Sequence, residues 1–428
     1  MFTKKTIRDV DVTGKTILMR ADYNVPVENG KITDDYRIKQ SLPTIQYLLE
    51  KNVRLIICSH LGRPEGKPNE AESLAPVAQR LGELVGADKV QFVRDCIGPD
   101  AEAAAKTLQS GHILVLENLR FHPEEEKNDD GFAAQLASLG ELFVQDGFGV
   151  VHRAHASTEA VTHHLPSVAG LLLEKEVDTI TNVMENPKRP LMAVIGGAKI
   201  SDKIEILHKF IEIADVVAVG GAMANTFLAA DGIPVAKSMI EGDSVSVAKD
   251  IIAKARDKAK HGNFTFYLPQ DGVVSAKIDK AAPTRIVGWQ THAVADAESY
   301  PKQPPHTAGE VQGDEMILDI GPVSSSFIAG TMQLANTVVW NGTVGVAEAP
   351  GLQGPVGPYA HGTKVLMDAI LGSYGHRPFS LAGGGDTAAY IAQAGLVNAF
   401  DHVSTGGGAS LELMAGRKLP GVEALQDK

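Results

Sequence analysis

At 428 residues, 44% of them hydrophobic and 21% charged, the chain has apolar material for two or three domain cores of about 150 residues each. Its formal net charge of −12 excludes nucleic-acid binding through a bulk positive field, so an anionic ligand would need a local basic cluster. Two cysteines, Cys58 and Cys96, exclude a disulfide scaffold, no apolar run reaches the roughly 20 residues of a bilayer span, and MFTKKTIRDV has no hydrophobic leader core; the expectation is a cytoplasmic protein with no membrane partner.

Short Val/Ile/Leu runs alternate with longer helical patterns. In the first half the runs are 16–20, 53–60, 90–95, 112–118 and 142–149. Being apolar on both faces, they read as buried parallel strands. Segments such as 41–51 and 73–85 carry helix-period apolar residues between them, and Cys58, inside VRLIICSH, reads as a small core residue. The stretch 171–186, free of Gly and Pro and stopped by Asn186-Pro187, reads as a helix connecting two sheets. The second set of runs is 191–197, 216–221, 264–269, 316–321, 337–342, 379–385 and 402–408, with helical spacing at 201–212 and 323–335. The proline-bearing stretch 281–313 reads as an irregular surface excursion. The pattern predicts α/β architecture with two doubly wound parallel sheets.

In open parallel sheets, ligands bind beyond the carboxyl ends of strands. In the first half those ends carry Asp22 and Asn24 (RADYNVP), His60 and Arg63 (SHLGRP), Arg120 (ENLRF) and Arg153 (HRAHAS), with Arg37 in TDDYRIK. Guanidinium groups donate paired hydrogen bonds to phosphate and carboxylate, so this set suits a small molecule with a phosphate, a carboxylate and a hydroxyl. Taken singly, each arginine reads more readily as an ordinary surface ion-pair residue; four at corresponding loop positions do not. The His152-x-x-His155 and His163-His164 pairs lack an acidic third ligand at a recognisable spacing and read as packed or hydrogen-bonded histidines. The run Glu124, Glu125, Glu126 reads as a solvated turn.

The second half has neither GxxxxGK[ST] nor a helix-opening GxGxxG. GGAKISDK places Lys199 and Lys203 four apart; wound into a helix, both ammonium groups would flank a polyphosphate, although exposed helix lysines look the same. AGGGDTAA offers Gly383, Gly384 and Gly385 for close backbone approach, a helix N-terminus for an anion, Asp386 for a nucleotide-bound Mg²⁺, and Thr387 as a phosphate donor. The bland alternative is a glycine turn with Asp386 as helix cap. HVSTGGGAS fits a hinge or a second anion cradle.

RADYNVP, ITDDYRI, SHLGRP, SLAPVA, ENLRFHPEEE, HRAHAS, NPKRP, GGAKISDKI, LDIGP, WNG, GGGDTAA and STGGGASLE occur in that order. The chain resembles the phosphoglycerate kinase family from about residue 8 to its end. The resemblance implies two α/β domains with a cleft between them: residues 1–170 binding 3-phosphoglycerate, 171–186 as interdomain helix, 187–403 binding ADP or ATP, and 404–428 as a hinge and tail returning to the first domain. It implies Mg²⁺-dependent transfer between 1,3-bisphosphoglycerate and ADP in glycolysis, by a monomer.

By matching motif, Asp22 and Asn24 would hold the glycerate hydroxyl, and His60, Arg63, Arg120 and Arg153 its phosphate. Arg37 would reach the carboxyl end and the phosphoryl in flight. Lys199 and Lys203 would contact the nucleotide phosphates and the transferred group, Asp386 and Thr387 would hold Mg²⁺ and phosphate, Asn341 would lie in the WNG turn, Glu348 would meet the ribose, and Gly220, Gly221 and Gly321 would line the adenine slot. The chain departs from the family at Thr343 for Pro, Ala347 for Phe, Gln145 for Asn and Gly147 for Ala, and looks expanded at 281–313 and 349–361. No charged residue of the set is lost. Arg37, Lys199 and Mg²⁺ would compensate transition-state charge, and closure about 171–186 and 404–410 would exclude water. Two rivals remain: a two-domain dehydrogenase, disfavoured by the missing GxGxxG, and a non-catalytic binding relative, disfavoured by the intact charged set.

Overall fold

The computed structural model describes residues 2–289, 310–347 and 358–428. The chain divides into two units: residues 1–181 with 408–413 and 417–428, and residues 182–407 with 414–416.

The first unit opens with β1 (Thr16–Arg20), a small hairpin of β2 (Val27–Glu28) and β3 (Lys31–Ile32), and α1 (Tyr36–Glu50). It continues through β4 (Arg54–Cys58), α2 (Ala75–Val85), β5 (Val90–Val93), α3 (Gly98–Thr107), β6 (Ile113–Leu116), α4 (Asp130–Ala137), β7 (Leu142–Gln145), β8 (Ser167–Ala169) and α5 (Leu171–Glu185). Six strands form one sheet in the order β5-β6-β4-β1-β7-β8, with every pairing parallel. The period-2 alternation of a strand explains why these runs are apolar throughout. Ile17, Met19, Leu55, Ile57 and Val115 pack on one face with Ile45 and Leu48 of α1 and Leu81 of α2. Leu18, Ile56, Cys58, Leu114 and Phe143 pack on the other with Phe132 and Leu136 of α4. Asp129 caps α4 by accepting from Phe132 N–H (2.8 Å). The boundary between the units falls inside α5.

The second unit runs through β9 (Leu191–Ile195), α6 (Ile204–Ile213), β10 (Val216–Val219), α7 (Gly221–Ala230), α8 (Val245–Lys260), β11 (Thr265–Tyr267), β12 (Asp271–Ser275), β13 (Arg285–Gly288), β14 (Met316–Ile320), α9 (Pro322–Met332), β15 (Thr337–Asn341), α10 (His361–Ile370), β16 (Phe379–Gly383), α11 (Gly385–Gln393) and β17 (His402–Val403). A second parallel sheet has the order β11-β10-β9-β15-β16-β17. The short α12 (Gly408–Met414) and α13 (Pro420–Glu423) end the chain. Most of this tail packs in the first unit, where Gly421 N–H donates to Val151 C=O (2.9 Å) and Lys4 pairs with Asp427 (2.8 Å).

Two expectations about β-structure need correction. The 316–320 run is not a parallel strand: β14 pairs antiparallel with β12, and β12 with β13, in a separate three-stranded sheet. Pattern alone cannot tell an apolar strand of one sheet from that of another. Nor is 281–313 irregular throughout, because β13 lies within it; residues 290–309 of that excursion lie outside the described residues.

Candidate functional site

In the first unit the proposed ligand residues lie beyond the carboxyl ends of four strands of the sheet, apart from Arg37 on α1. Asp22 and Asn24 follow β1, His60 and Arg63 follow β4, Arg120 follows β6, and Arg153 follows β7. Arg37 Nη1, from the first turn of α1, donates to Asp22 Oδ2 (2.8 Å) and to the Asn24 carbonyl (3.2 Å). Asn24 Oδ1 accepts from Gly62 N–H (2.9 Å), and the Gly62 carbonyl accepts from Arg120 Nη1 (2.8 Å). Gly62 therefore ties the β1 loop, the β4 loop and the β6 loop together. Arg63 and Arg153 are exposed, whereas Arg120 is buried and pairs with Glu126 (3.2 Å).

His60 is buried, and burial together with the nearby Arg20, Arg120 and Arg37 guanidinium groups holds its imidazole well below the usual pKa. A neutral ring fits the geometry, since Arg20 Nη2 donates to His60 Nδ1 (3.3 Å). Burial and the nearby Arg20, Arg120 and Arg153 guanidinium groups push His155 down to about 4. Burial lowers Arg120 as well, with Glu126 opposing and Arg20 and Arg153 adding to the fall. Several guanidinium groups thus share a partly dry space, which is an environment that seeks an anion.

Sequence reasoning missed Arg20 and Glu125. Arg20 ends β1 and is fully buried; its Nε donates to Ser157 Oγ (2.7 Å) and its Nη1 to the Ala21 carbonyl. Glu125 corrects the expectation of a solvated turn: it has no exposure, although Glu126 beside it is exposed. An acidic triplet shows no periodicity, so only the packing of HRAHAS against it, through Ser157, reveals which carboxylate faces inward. The departures near Arg153 are structural: Gln145 is buried and its Oε1 accepts from Gly147 N–H (3.1 Å), while a Cβ at Gly147 would stand 3.1 Å from the Ala21 backbone. His163 and His164 both pair with Asp130 (3.6 and 2.9 Å). Asp95, Cys96 and His122 place ligand atoms within 4.8 Å of one another, but His122 Nε2 and Asp95 Oδ1 already hydrogen-bond (2.7 Å).

In the second unit the glycine turns meet at the carboxyl edge of β9, β10, β15 and β16. GGAKISDK does not wind into an α-helix as conjectured. Lys203 is the residue preceding α6, and 201–203 form a turn. The two lysines consequently differ: Lys199 is exposed, whereas Lys203 is half-buried and its Nζ donates to Asn341 Oδ1. Burial pulls the Lys203 ammonium down to about 8, with Asp202 and Asp386 opposing. Asn341 Nδ2 is buried, with no hydrogen-bond partner among the described residues. Gly384, at φ +94°, is the cap position of α11, and a Cβ there would lie 3.3 Å from that Asn341 amide nitrogen. Asp386 is therefore not the cap residue; it sits exposed in the first turn of α11. Thr387 is buried and its Oγ1 accepts from Gly342 N–H (2.7 Å), which fastens the WNG turn to α11.

Gly221, at φ +68°, begins α7, and a Cβ there would stand 2.6 Å from the Gly197 carbonyl. It also lines a small pocket with Asn225, Leu228, Trp289, Leu318 and Val344. Gly220 and Gly321 do not line it: their Cβ positions are filled by Val344 (2.4 Å) and by the Asp271 carboxylate (2.2 Å). Asp271 instead accepts from Val323 N–H (2.9 Å), Ser324 N–H (2.8 Å) and Ser324 Oγ (2.6 Å), organising the start of α9. Asp319 accepts from Gly362 N–H (2.9 Å), and burial holds its carboxyl well above the ordinary value. Thr343 and Ala347 are both buried, and the Thr343 carbonyl accepts from Gly197 N–H (2.9 Å). Glu348 and most of 349–361 (349–357) lie outside the described residues.

The donor set suits a magnesium ion that arrives with a nucleotide. One exposed carboxylate beside an ammonium and a helix N-terminus is too little for an all-protein cage, but Mg²⁺ usually takes one or two carboxylates plus substrate phosphates. The orphaned Asn341 amide next to Gly384 marks a polar space for phosphate oxygens.

Residues 7–417 match the family model for phosphoglycerate kinase. A phosphoglycerate kinase of Moorella thermoacetica is 45% identical over 425 residues, covering 99% of this chain and 100% of that one. The solved phosphoglycerate kinases of Coxiella burnetii (35% identical, TM-score 0.79, 98% of each chain covered) and Pyrococcus horikoshii (30%, TM-score 0.80, 99% and 98% covered) share the fold. These likenesses define an α/β phosphotransferase that uses ATP or ADP with Mg²⁺. The chain belongs to the phosphoglycerate kinase family, and its reaction is reversible transfer of a phosphoryl group between 1,3-bisphosphoglycerate and ADP, a step of glycolysis. Among the described residues, no helix is long and apolar enough to cross a membrane.

Proposed function

We propose that the arginine–histidine pocket of the first unit holds 3-phosphoglycerate and that the lysine–glycine edge of the second holds the adenine nucleotide. The observation that carries this is the Gly62 junction, which ties Asn24 and Arg120 together beside the Asp22–Arg37 pair. Asp22 and Asn24 take the glycerate hydroxyl, His60, Arg63, Arg120 and Arg153 its phosphate, and Arg37 its carboxylate end. His60, being neutral, donates from Nε2 while Nδ1 accepts from Arg20.

In the second unit, Lys199, Lys203 and Asn341 face the nucleotide phosphates, with Gly383, Gly384 and Gly385 giving them backbone access and the start of α11 a partial positive charge. Asp386 holds the magnesium ion that the nucleotide carries; that ion neutralises charge on the phosphates. Thr387 acts through the Gly342 turn. The pocket beside Gly221 takes the adenine ring, Gly220 and Gly321 shape its walls by close packing, and Glu348 is assigned to the ribose on motif alone. Transfer needs no side-chain base, because the attacking carboxylate oxygen is already anionic. It needs alignment and charge compensation, which Arg37, Lys199 and Lys203 supply. The two substrates must meet away from water, and α5 and the 404–410 turn are the segments we assign to that motion. The protein works as a cytoplasmic monomer.

The test is a coupled assay of ADP formation from ATP and 3-phosphoglycerate, with Mg²⁺ and without it. Arg63→Ala should raise KM for 3-phosphoglycerate alone, and Asp386→Ala should raise that for Mg-ATP alone. The opposite pattern would reverse the assignment of the two pockets.

A further inference from the structure

Glu125 has no solvent exposure, and burial raises its carboxyl above the ordinary range while the Arg20 guanidinium opposes that rise. Ser157 donates to it twice, from N–H to Oε2 (2.9 Å) and from Oγ to Oε1 (2.5 Å). Ser157 Oγ in turn accepts from Arg20 Nε (2.7 Å), and Arg20 Nη2 donates to His60 Nδ1 (3.3 Å). His60 stands 3.9 Å from Asp22, which holds Arg37. A line of polar contacts, hydrogen-bonded except at the His60–Asp22 approach, runs from the buried Glu125 to the half-buried Arg37, all within the first unit.

We propose that Glu125 is a positioning residue for the anionic substrate: through Ser157 it fixes the Arg20 guanidinium, and Arg20 fixes the His60 ring beneath the Asp22–Arg37 pair. The inference rests on assigning this pocket to 3-phosphoglycerate. A guanidinium is planar, so anchoring Nε at Ser157 sets the direction in which Nη2 reaches His60. With the carboxylate removed, the Ser157 hydroxyl turns freely and Arg20 becomes a buried cation in search of a counter-charge. The next carboxylate along the line is Asp22, which Arg20 would then contest with Arg37.

Two other roles for Glu125 predict different results. If it acted only through its field, neutralising it would make the pocket more positive and tighten anion binding. If it acted only as a structural ion-pair partner, its loss would lower stability and leave both KM values alone. Positioning predicts that Glu125→Gln raises KM for 3-phosphoglycerate about tenfold or more, the scale of one charged hydrogen bond, while KM for ATP stays within about twofold. Ser157→Ala should move KM for 3-phosphoglycerate in the same direction by a smaller factor. The experiment is steady-state kinetics of the full chain against both substrates, with circular dichroism to establish folding and Arg63→Ala as control. An unchanged or lowered KM for 3-phosphoglycerate in folded Glu125→Gln overturns the proposal. Should that variant not fold, an unchanged KM in Ser157→Ala does so. If Arg63→Ala also has no effect, the pocket assignment itself is overturned; if it raises KM and neither of the others does, only the role of Glu125 is.

Discussion

The two units present the same sheet edge and equip it in opposite ways. In the first, side chains line it: Glu125, Ser157, Arg20, His60, Asp22 and Arg37 form a linked set whose inner members are buried. In the second, the backbone comes forward: Gly221, Gly342 and Gly384 have left-handed φ values, and one half-buried lysine meets one buried asparagine. On the pocket assignment proposed above, the difference follows from the ligands of the family's reaction. A small rigid anion with three distinct ends is read by fixed forks of known direction. A flexible polyphosphate with its own magnesium ion is better met by free N–H groups and one or two mobile cations. Damage to the first site should therefore appear as misplaced charge, and damage to the second as lost backbone access.

The sharpest break in this contrast should come from the groups assigned to the moving phosphoryl. Arg37→Ala or Lys199→Ala is expected to lower turnover by about 10²-fold or more in a protein that still unfolds cooperatively, as for loss of one preorganised electrostatic donor. Normal kcat in either variant would remove that residue from the role. Gly221→Ala tests the claim of backbone access. Its left-handed φ of +68° and the Gly197 carbonyl 2.6 Å from the added Cβ should cost about 1–3 kcal/mol in stability, read by denaturant unfolding, and should weaken nucleotide binding together with it. An alanine variant with wild-type stability and nucleotide affinity would show that this turn relaxes freely.

Asp386→Ala should weaken Mg-ATP binding by roughly tenfold and leave metal-free ATP binding nearly unchanged, because one magnesium ligand is lost and no phosphate donor is. Equal titrations for both proteins would make Asp386 a helix-terminus residue only. A smaller effect is expected with pH. The Lys203 ammonium, lowered by burial to about 8, loses its charge as pH rises through that value, so nucleotide affinity should fall on the alkaline side. Lys203→Arg should flatten that fall, because guanidinium stays charged.

The smallest predicted change concerns Asp146, which directly follows the first sheet's β7 and accepts from Thr44 Oγ1 (3.0 Å) and from Leu172 N–H (3.0 Å) at the start of α5. Burial raises its carboxyl from 3.8 to about 7. A folded pKa above the unfolded one means stability that is complete below about 3.8 and declines as pH rises toward about 7. Asp146→Asn keeps the accepting oxygen and loses the titration, so its melting temperature should vary less over that window. Parallel profiles for the two proteins would sink this reading.

Much of the molecule was legible without coordinates, and the exceptions share one cause. Asp22, His60, Arg63, Arg120 and Arg153 could be singled out because each follows an apolar run, and the end of a parallel strand is a ligand-facing place whatever surrounds it. Arg20 closes such a run but points inward, to a serine 137 residues away. Glu125 sits between two other glutamates, and nothing local marks it as the buried one. Lys203 and Asn341 are 138 residues apart and meet only because β9 and β15 are neighbours in the sheet. The third sheet is not written in the pattern, because β12 begins with Asp271 and Gly272, residue types that favour turns.

The sequence by itself determined the strand and helix periods, the doubly wound α/β class and the family motifs, since these depend on residue types at short spacing. Tertiary structure alone decided which charges are buried, which of two lysines is partnered, and which glycines are held by a close neighbour. Those outcomes depend on desolvation and on contacts between segments far apart in the chain, and neither is written in any local pattern.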